Sequence, residues 1–338
     1  MFAGPIGSRK ANDVGQPSLS VIIRAYNEEQ HLGRLLEGIA RQSFRPLETI
    51  LVDSGSIDAT LAIAARYPVE VVSIRPEDFS FGRSLNCGCA AAQGDLLVFA
   101  SAHIYPVYPD WLEQLTGPFH DETVALAYGK QRGGPTSRFS EQQIFSTWYP
   151  EHSAPRQTHP FCNNANAAVR RSLWAIHPYD EDLPGLEDLE WGTWALSRGF
   201  VLAYRAEAEV IHVHEESTPA ILNRYRREAA ALRRLRPSEH FRLDDLVRLY
   251  TSNVVSDMRQ AARQHRLRQV AGDILRYRWM QFWATYLGFR VSGPLTNEMK
   301  RAFYYPPVAK PGVSDVQRGV SPIDYRAAGV RLPGDVQE

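Results

Sequence analysis

The chain has 338 residues, 44% hydrophobic and 22% charged, a composition that excludes a wholly disordered protein. Its 38 Lys and Arg are matched by 38 Asp and Glu, which argues against a globally basic nucleic-acid binder. Three cysteines, Cys87, Cys89 and Cys162, are too few for a disulfide framework and fit a reducing compartment.

At about 100–200 residues per domain, the length predicts two or so domains, or one large α/β domain with an appendage. Residues 1–17 contain Gly and Pro but no apolar signal region, and read as a loose tail. No apolar run reaches the roughly 18 residues that a membrane-spanning helix needs. The expected location is the cytoplasm.

Residues 19–24 (LSVIIR) are almost continuously apolar, as in a buried parallel strand. Asn27 followed by Glu28 and Glu29 reads as a helix N-cap with acids in the first turn. Leu32, Leu35, Leu36 and Ile39 then recur at helical spacing. Residues 48–52 (ETILV) predict a second strand ending in Asp53-Ser54-Gly55-Ser56, with Asp58 capping a helix over 59–66. Residues 69–74 and 95–100 predict two more strands, and 81–92 a helix broken by Gly82 and Gly88. Strands alternating with helices imply a mostly parallel sheet, which binds ligands at the carboxyl ends of its strands. Residues 24–27, 53–56 and 101–103 fall there. Neither GxGxxG nor the P-loop pattern occurs.

Tyr26 follows the first strand, where its ring could stack on a base. Asp53 follows the second, where a carboxylate could accept the imide N–H of a uracil-like base. The plainer readings are half-buried packing for Tyr26 and an Asx turn for Asp53.

Residues 20–29 (SVIIRAYNEE) with 51–58 (LVDSGSID) resemble the opening of family-2 glycosyltransferases. In family order, 82–95 resembles the glycine-bearing helix and next strand, 162–171 (CNNANAAVRR) the acceptor-side segment, 185–191 (GLEDLEW) the ED motif, and 211–214 (IHVH) the HxH. The resemblance covers residues 18–235 and implies a GT-A type nucleotide-binding sandwich. It implies base binding by Tyr26 and Asp53, with Arg24, Arg83 and Ser101 on the nucleotide side. It implies Asp188, preceded by Glu187, as the general base of an inverting transfer. It also implies acceptor contacts from Asn163, Asn164 and Asn166, and Trp191 and Trp194 offer the acceptor sugar-stacking faces. An acid-rich first turn facing a helix dipole remains the plainer reading of 185–191, and a polar loop that of Asn163, Asn164 and Asn166.

One departure concerns the metal. Where the family has Asp-x-Asp, this chain has Ser101-Ala102-His103. Three readings stay open: His103 holds Mn²⁺ or Mg²⁺ together with His212 or His214; His103 contacts phosphate without metal; or the site is inactive.

Residues 218–235, 244–269 and 271–288 predict helices. Over 221–290 there are fifteen arginines against six acids, and Trp279, Phe282, Trp283, Tyr286 and Phe289 recur at helical spacing. That stripe reads as core or a seam between two copies; the alternative is a peripheral membrane anchor. The layout is similar to bacterial rhamnosyltransferase-like members of the family. The domain expectation is 18–235 catalytic, 236–310 a helical extension and 311–338 an extended tail. The expected partners are a nucleotide-sugar donor and a glycan or lipid-linked acceptor. The rival readings are a non-catalytic scaffold and a nucleotidyltransferase.

Overall fold

A computed structural model describes residues 17–214, 216–291, 321 and 323–325. The expected tail over 1–17, apart from residue 17, lies outside these residues, as do 292–310 of the expected extension and most of 311–338.

The first half alternates strictly. It runs β1 (Leu19–Ala25), α1 (Leu32–Ala40), β2 (Glu48–Asp53), α2 (Thr60–Ala64), β3 (Glu70–Ser73), α3 (Phe81–Ala91) and β4 (Leu96–Ser101). Then come β5 (Ile104–Pro106), α4 (Trp111–Thr116), β6 (Val124–Gly133), α5 (Phe139–Trp148), β7 (Ala154–Gln157), β8 (Asn166–Arg170), α6 (Arg171–Ile176), α7 (Glu187–Ser197) and β9 (Val201–His212). The sheet order is β3-β2-β1-β4-β8-β6-β9-β5, with β7 also on β9. Strands β1 to β4, β6 and β9 run one way; β5, β7 and β8 oppose them.

Alternation along each strand splits the core. Val21, Ile23 and Val98 meet Leu32, Leu35 and Leu36 of α1 and Trp111 of α4. Ile22, Leu97 and Phe99 face Leu85 and Cys89 of α3 and Trp191 of α7. Helix α3 is unbroken at Gly82 and Gly88, contrary to expectation. A Cβ on Gly88 would lie 2.4 Å from Ile22 Cγ2, and one on Gly82 2.2 Å from the Asp180 carbonyl oxygen. These glycines permit close contact between backbone and neighbours, which their low helix propensity conceals.

Asn27 is not the cap of α1. Its φ is +54°, its side-chain oxygen accepts from Ile57 N, and α1 begins at Leu32. Asp58 accepts from Thr60 N, but α2 is shorter than the sequence predicts.

Three long helices follow: α8 (Thr218–Leu235), α9 (Leu243–Arg263) and α10 (Leu267–Gly288). The break between the last two falls after Arg263, and His265 adopts φ +56°. Arg278 of α10 forms a buried two-pronged pair with Asp257 of α9, at 2.8 and 2.9 Å. Ala261 and Ile274 pack on Phe139 of α5, and Arg138 pairs with Asp273, which fastens the helices to the sheet domain. Among the described residues no helix is long and apolar enough to cross a membrane. Within the expected tail, Tyr325 is buried and its hydroxyl donates to Pro106 O at 2.7 Å.

Candidate active site

The three strand ends meet as the alternating pattern requires. Ala25 lies opposite Asp53, and Arg24 opposite Ser101. Asp53 is 2% exposed and accepts from the backbone N–H of Gly55 at 3.0 Å and Ser56 at 3.1 Å. The Asx turn is therefore real, with Gly55 at φ +87°. Tyr26 beside it is 36% exposed. Asn27 N donates to Ser56 Oγ at 2.9 Å, tying the two loops together.

At the end of β9 and just past β4 and β9, three imidazoles converge. The His103 and His212 rings stack with centroids 5.0 Å apart, and those of His212 and His214 lie 4.1 Å apart. One ring nitrogen from each falls within 4.8 Å of the others. Each Nδ1 has a side-chain partner: Glu28 at 2.7 Å for His103, Gln131 at 2.6 Å for His212, and Glu141 at 2.7 Å for His214. Ser101 Oγ lies 3.2 Å from His103 Nε2. The buried Nε2 of His212 has no hydrogen-bond partner. Burial, then the neighbouring His214 and His103, hold His212 well below its ordinary pKa, so it is a neutral donor of a lone pair. Burial opposes charge on His103, but Glu28 outweighs it and raises that pKa. An orphaned imidazole nitrogen beside two more, each fixed by an acceptor behind it, fits a divalent metal ion.

Asp188 sits at the start of α7, after Leu186 in the left-handed region at φ +59°. Its oxygens accept from Leu189 N at 2.8 Å and Asn164 N at 3.3 Å. Burial, then the adjacent Glu187, push its pKa up to about 7. Glu187 is buried and pairs with Arg24 at 3.3 Å. Arg24 lies over the Phe81 ring, and Arg227 of α8 lies over the same ring, so two guanidiniums flank it. Arg83 is solvent-facing, 3.4 Å from Glu181.

Gln131 bridges two parts of the site. Its Nε2 donates to Asn163 Oδ1 at 3.1 Å while its Oε1 meets His212. Asn164 is buried, with a side-chain nitrogen that has no hydrogen-bond partner. Trp191 corrects an expectation. It is 0% exposed, and its indole N–H donates to His177 O at 2.8 Å, so it has no face for a sugar. Trp148 is 52% accessible, its ring set edge-on against Phe161 at 4.9 Å. Glu28, Gln131, Glu141 and Arg227 are further site residues. Glu28 alone lies inside a motif of the sequence, 20–29, where it reads as a helix-end acid.

Residues 20–176 match the family model described as glycosyl transferase family 2. The chain is 26% identical over 222 residues to the O-antigen chain rhamnosyltransferase WbaN of Salmonella anatum, spanning 62% of this chain and 70% of that one. It is 26% identical over 220 residues to RfbN of Salmonella typhimurium, also named an O-antigen chain rhamnosyltransferase, spanning 61% and 70%. Among solved structures, it resembles the mannosyltransferase PcManGT from Pyrobaculum calidifontis, solved with GDP-Man and Mn²⁺. That likeness has TM-score 0.53 and 17% identity and covers 86% of each chain; at that identity it bears on the fold alone.

Proposed function

We propose, for a chain that belongs to glycosyltransferase family 2 and is an enzyme with a GT-A fold, an inverting sugar transfer with Asp188 as the general base. The observation that carries this reading is one linked set of contacts. It runs from His212 through Gln131 to Asn163, and from Asn164 to Asp188. A phosphate-side cluster and a basic carboxylate thereby share one scaffold.

The donor base stacks on Tyr26, and its imide N–H reaches toward Asp53. Arg24, Ser101 and Arg83 lie on the nucleotide side. His103, His212 and His214 would hold a divalent ion, which when bound offsets charge on the leaving diphosphate. Asn163 and Asn164 face the acceptor. Asp188 takes the proton of an acceptor hydroxyl as that oxygen attacks the anomeric carbon. The bond from the anomeric carbon to the diphosphate oxygen breaks, and the configuration inverts. A carboxylate with a pKa near 7 suits this task, because it accepts a proton readily yet is substantially ionised at neutral pH. Glu187 tunes that basicity through its charge.

The two Salmonella relatives support an acceptor in surface-polysaccharide assembly, either a glycan or a lipid-linked glycan. The working division is a catalytic domain over 18–235 and a helical extension from 236. The arginine excess over 221–290 complements an anionic lipid surface, which Trp279, exposed on α10, would meet.

The test is calorimetric titration of UDP, GDP, dTDP and CMP, each with and without Mn²⁺. One diphosphate binding tightly only with Mn²⁺ supports the reading. Metal-indifferent binding overturns its metal part, and no binding by any of the four overturns the donor site.

A further inference from the structure

We infer that Glu141 is a positioning residue for His214, and that α8 and α10 hold it in place, so the helices beyond the sheet set the geometry of the histidine cluster. This rests on reading that cluster as a metal site.

Glu141 lies in the first turn of α5 and is 4% exposed. Its Oε1 alone accepts from three donors: His214 Nδ1 at 2.7 Å, Arg224 Nη2 at 3.1 Å and the Tyr277 hydroxyl at 3.5 Å. The donors come from the loop after β9, from α8 and from α10. His214 lies two residues past the last residue of β9, so no strand ladder fixes its ring. The Glu141 carboxylate keeps the proton on Nδ1 and leaves the Nε2 lone pair free to ligate. Without it, the ring could turn or take the other tautomer.

Arg224 also pairs with Glu216 at 2.6 Å, so a guanidinium already compensates both carboxylates. That makes Glu141 and Glu216 poor ligands for a second cation. Tyr277 is fully buried, and its hydroxyl also meets that of Tyr225 at 2.9 Å. Glu28 and Gln131 serve His103 and His212 from within the sheet domain. Glu141 is the acceptor behind a cluster histidine that α8 and α10 hold directly.

The test uses the full chain with Co²⁺ alone, followed by calorimetry and by the visible absorption of a cobalt–imidazole site. Glu141→Ala should weaken Co²⁺ binding about ten- to a hundredfold and shift the spectrum. Glu141→Gln should restore most of the affinity, since an amide oxygen still accepts the Nδ1 proton. Tyr277→Phe touches no histidine and should weaken binding by a few-fold. Metal-free UDP affinity should stay unchanged in all three, which a general loss of structure would not allow. Wild-type Co²⁺ affinity and spectrum in folded Glu141→Ala would overturn the inference. If that variant does not fold, unchanged Co²⁺ binding in Tyr277→Phe overturns it. A wild-type chain that binds no Co²⁺ removes the metal reading itself, and this inference with it.

Discussion

Replacing Asp188 by Asn should make the protein more stable and almost inactive. Burial and Glu187 lift the Asp188 pKa from 3.8 to about 7, whereas the unfolded chain releases that proton near 3.8. Between these values the unfolded state loses the proton first, so stability falls as pH rises from about 4 to about 7 and stays low above. At about 1.4 kcal/mol per tenfold change in proton affinity, that gap corresponds to about 4 kcal/mol. Asn carries no charge and escapes the penalty. It gives up one of the two N–H bonds to Leu189 and Asn164, a loss of about 1 kcal/mol. Solvent reaching the half-buried carboxyl trims the gain further. The expected net is about 1–3 kcal/mol of extra stability at pH 8 and almost none below pH 4. Urea unfolding at both pH values reads this. Transfer, followed as nucleotide release with acceptor present, should fall about 10²–10⁴-fold. The wild-type rate should climb as pH passes through about 7, where Asp188 loses its proton. A variant that is less stable at pH 8, or that transfers within tenfold of wild type, would refute the reasoning.

Other expectations concern the ring cluster, the core and the helices. His212→Ala should lose Mn²⁺ binding measured by calorimetry while keeping metal-free nucleotide affinity. Trp191→Ala should cost about 3–5 kcal/mol in urea unfolding, as a core residue does and an acceptor platform does not. Gly88→Val places a side chain against Ile22 and should cost about 1–3 kcal/mol by the same measurement. Arg278→Met strands the buried Asp257 carboxylate and should cost about 3–5 kcal/mol. Pairing it with Asp257→Leu should recover most of that loss.

What the sequence made legible was local or periodic. The apolar runs at 19–24 and 48–52 announce strands because both of their faces are buried, and the loops after them carry Tyr26 and Asp53. His212 and His214 stood out as a spaced pair. Their partners did not, because Gln131 lies 81 residues from His212 and Glu141 lies 73 from His214. No short-range pattern encodes such a bond. Trp191 misled for a related reason. A tryptophan beside an acidic motif looks the same in sequence whether its ring faces solvent or fills the space between α7 and β9. Helix propensity makes Gly88 look like a break, although its role is set by contact with Ile22 of β1.

The bond from Tyr325 to Pro106, with Asp324 O accepting from Arg41, joins positions 283 residues apart in the second case. Ile323 N also donates to Val107 O at 3.1 Å. During synthesis the N-terminal strands and α1 leave the ribosome long before Tyr325 exists. The hollow beside Gly38 that its hydroxyl later fills stays uncovered until Tyr325 has been made. Completion of that seam thus comes after the whole sheet domain has been made. A nascent chain stalled before Tyr325 would present the sheet domain with one unsealed patch, where a chaperone or protease could distinguish it from a chain that carries the seam.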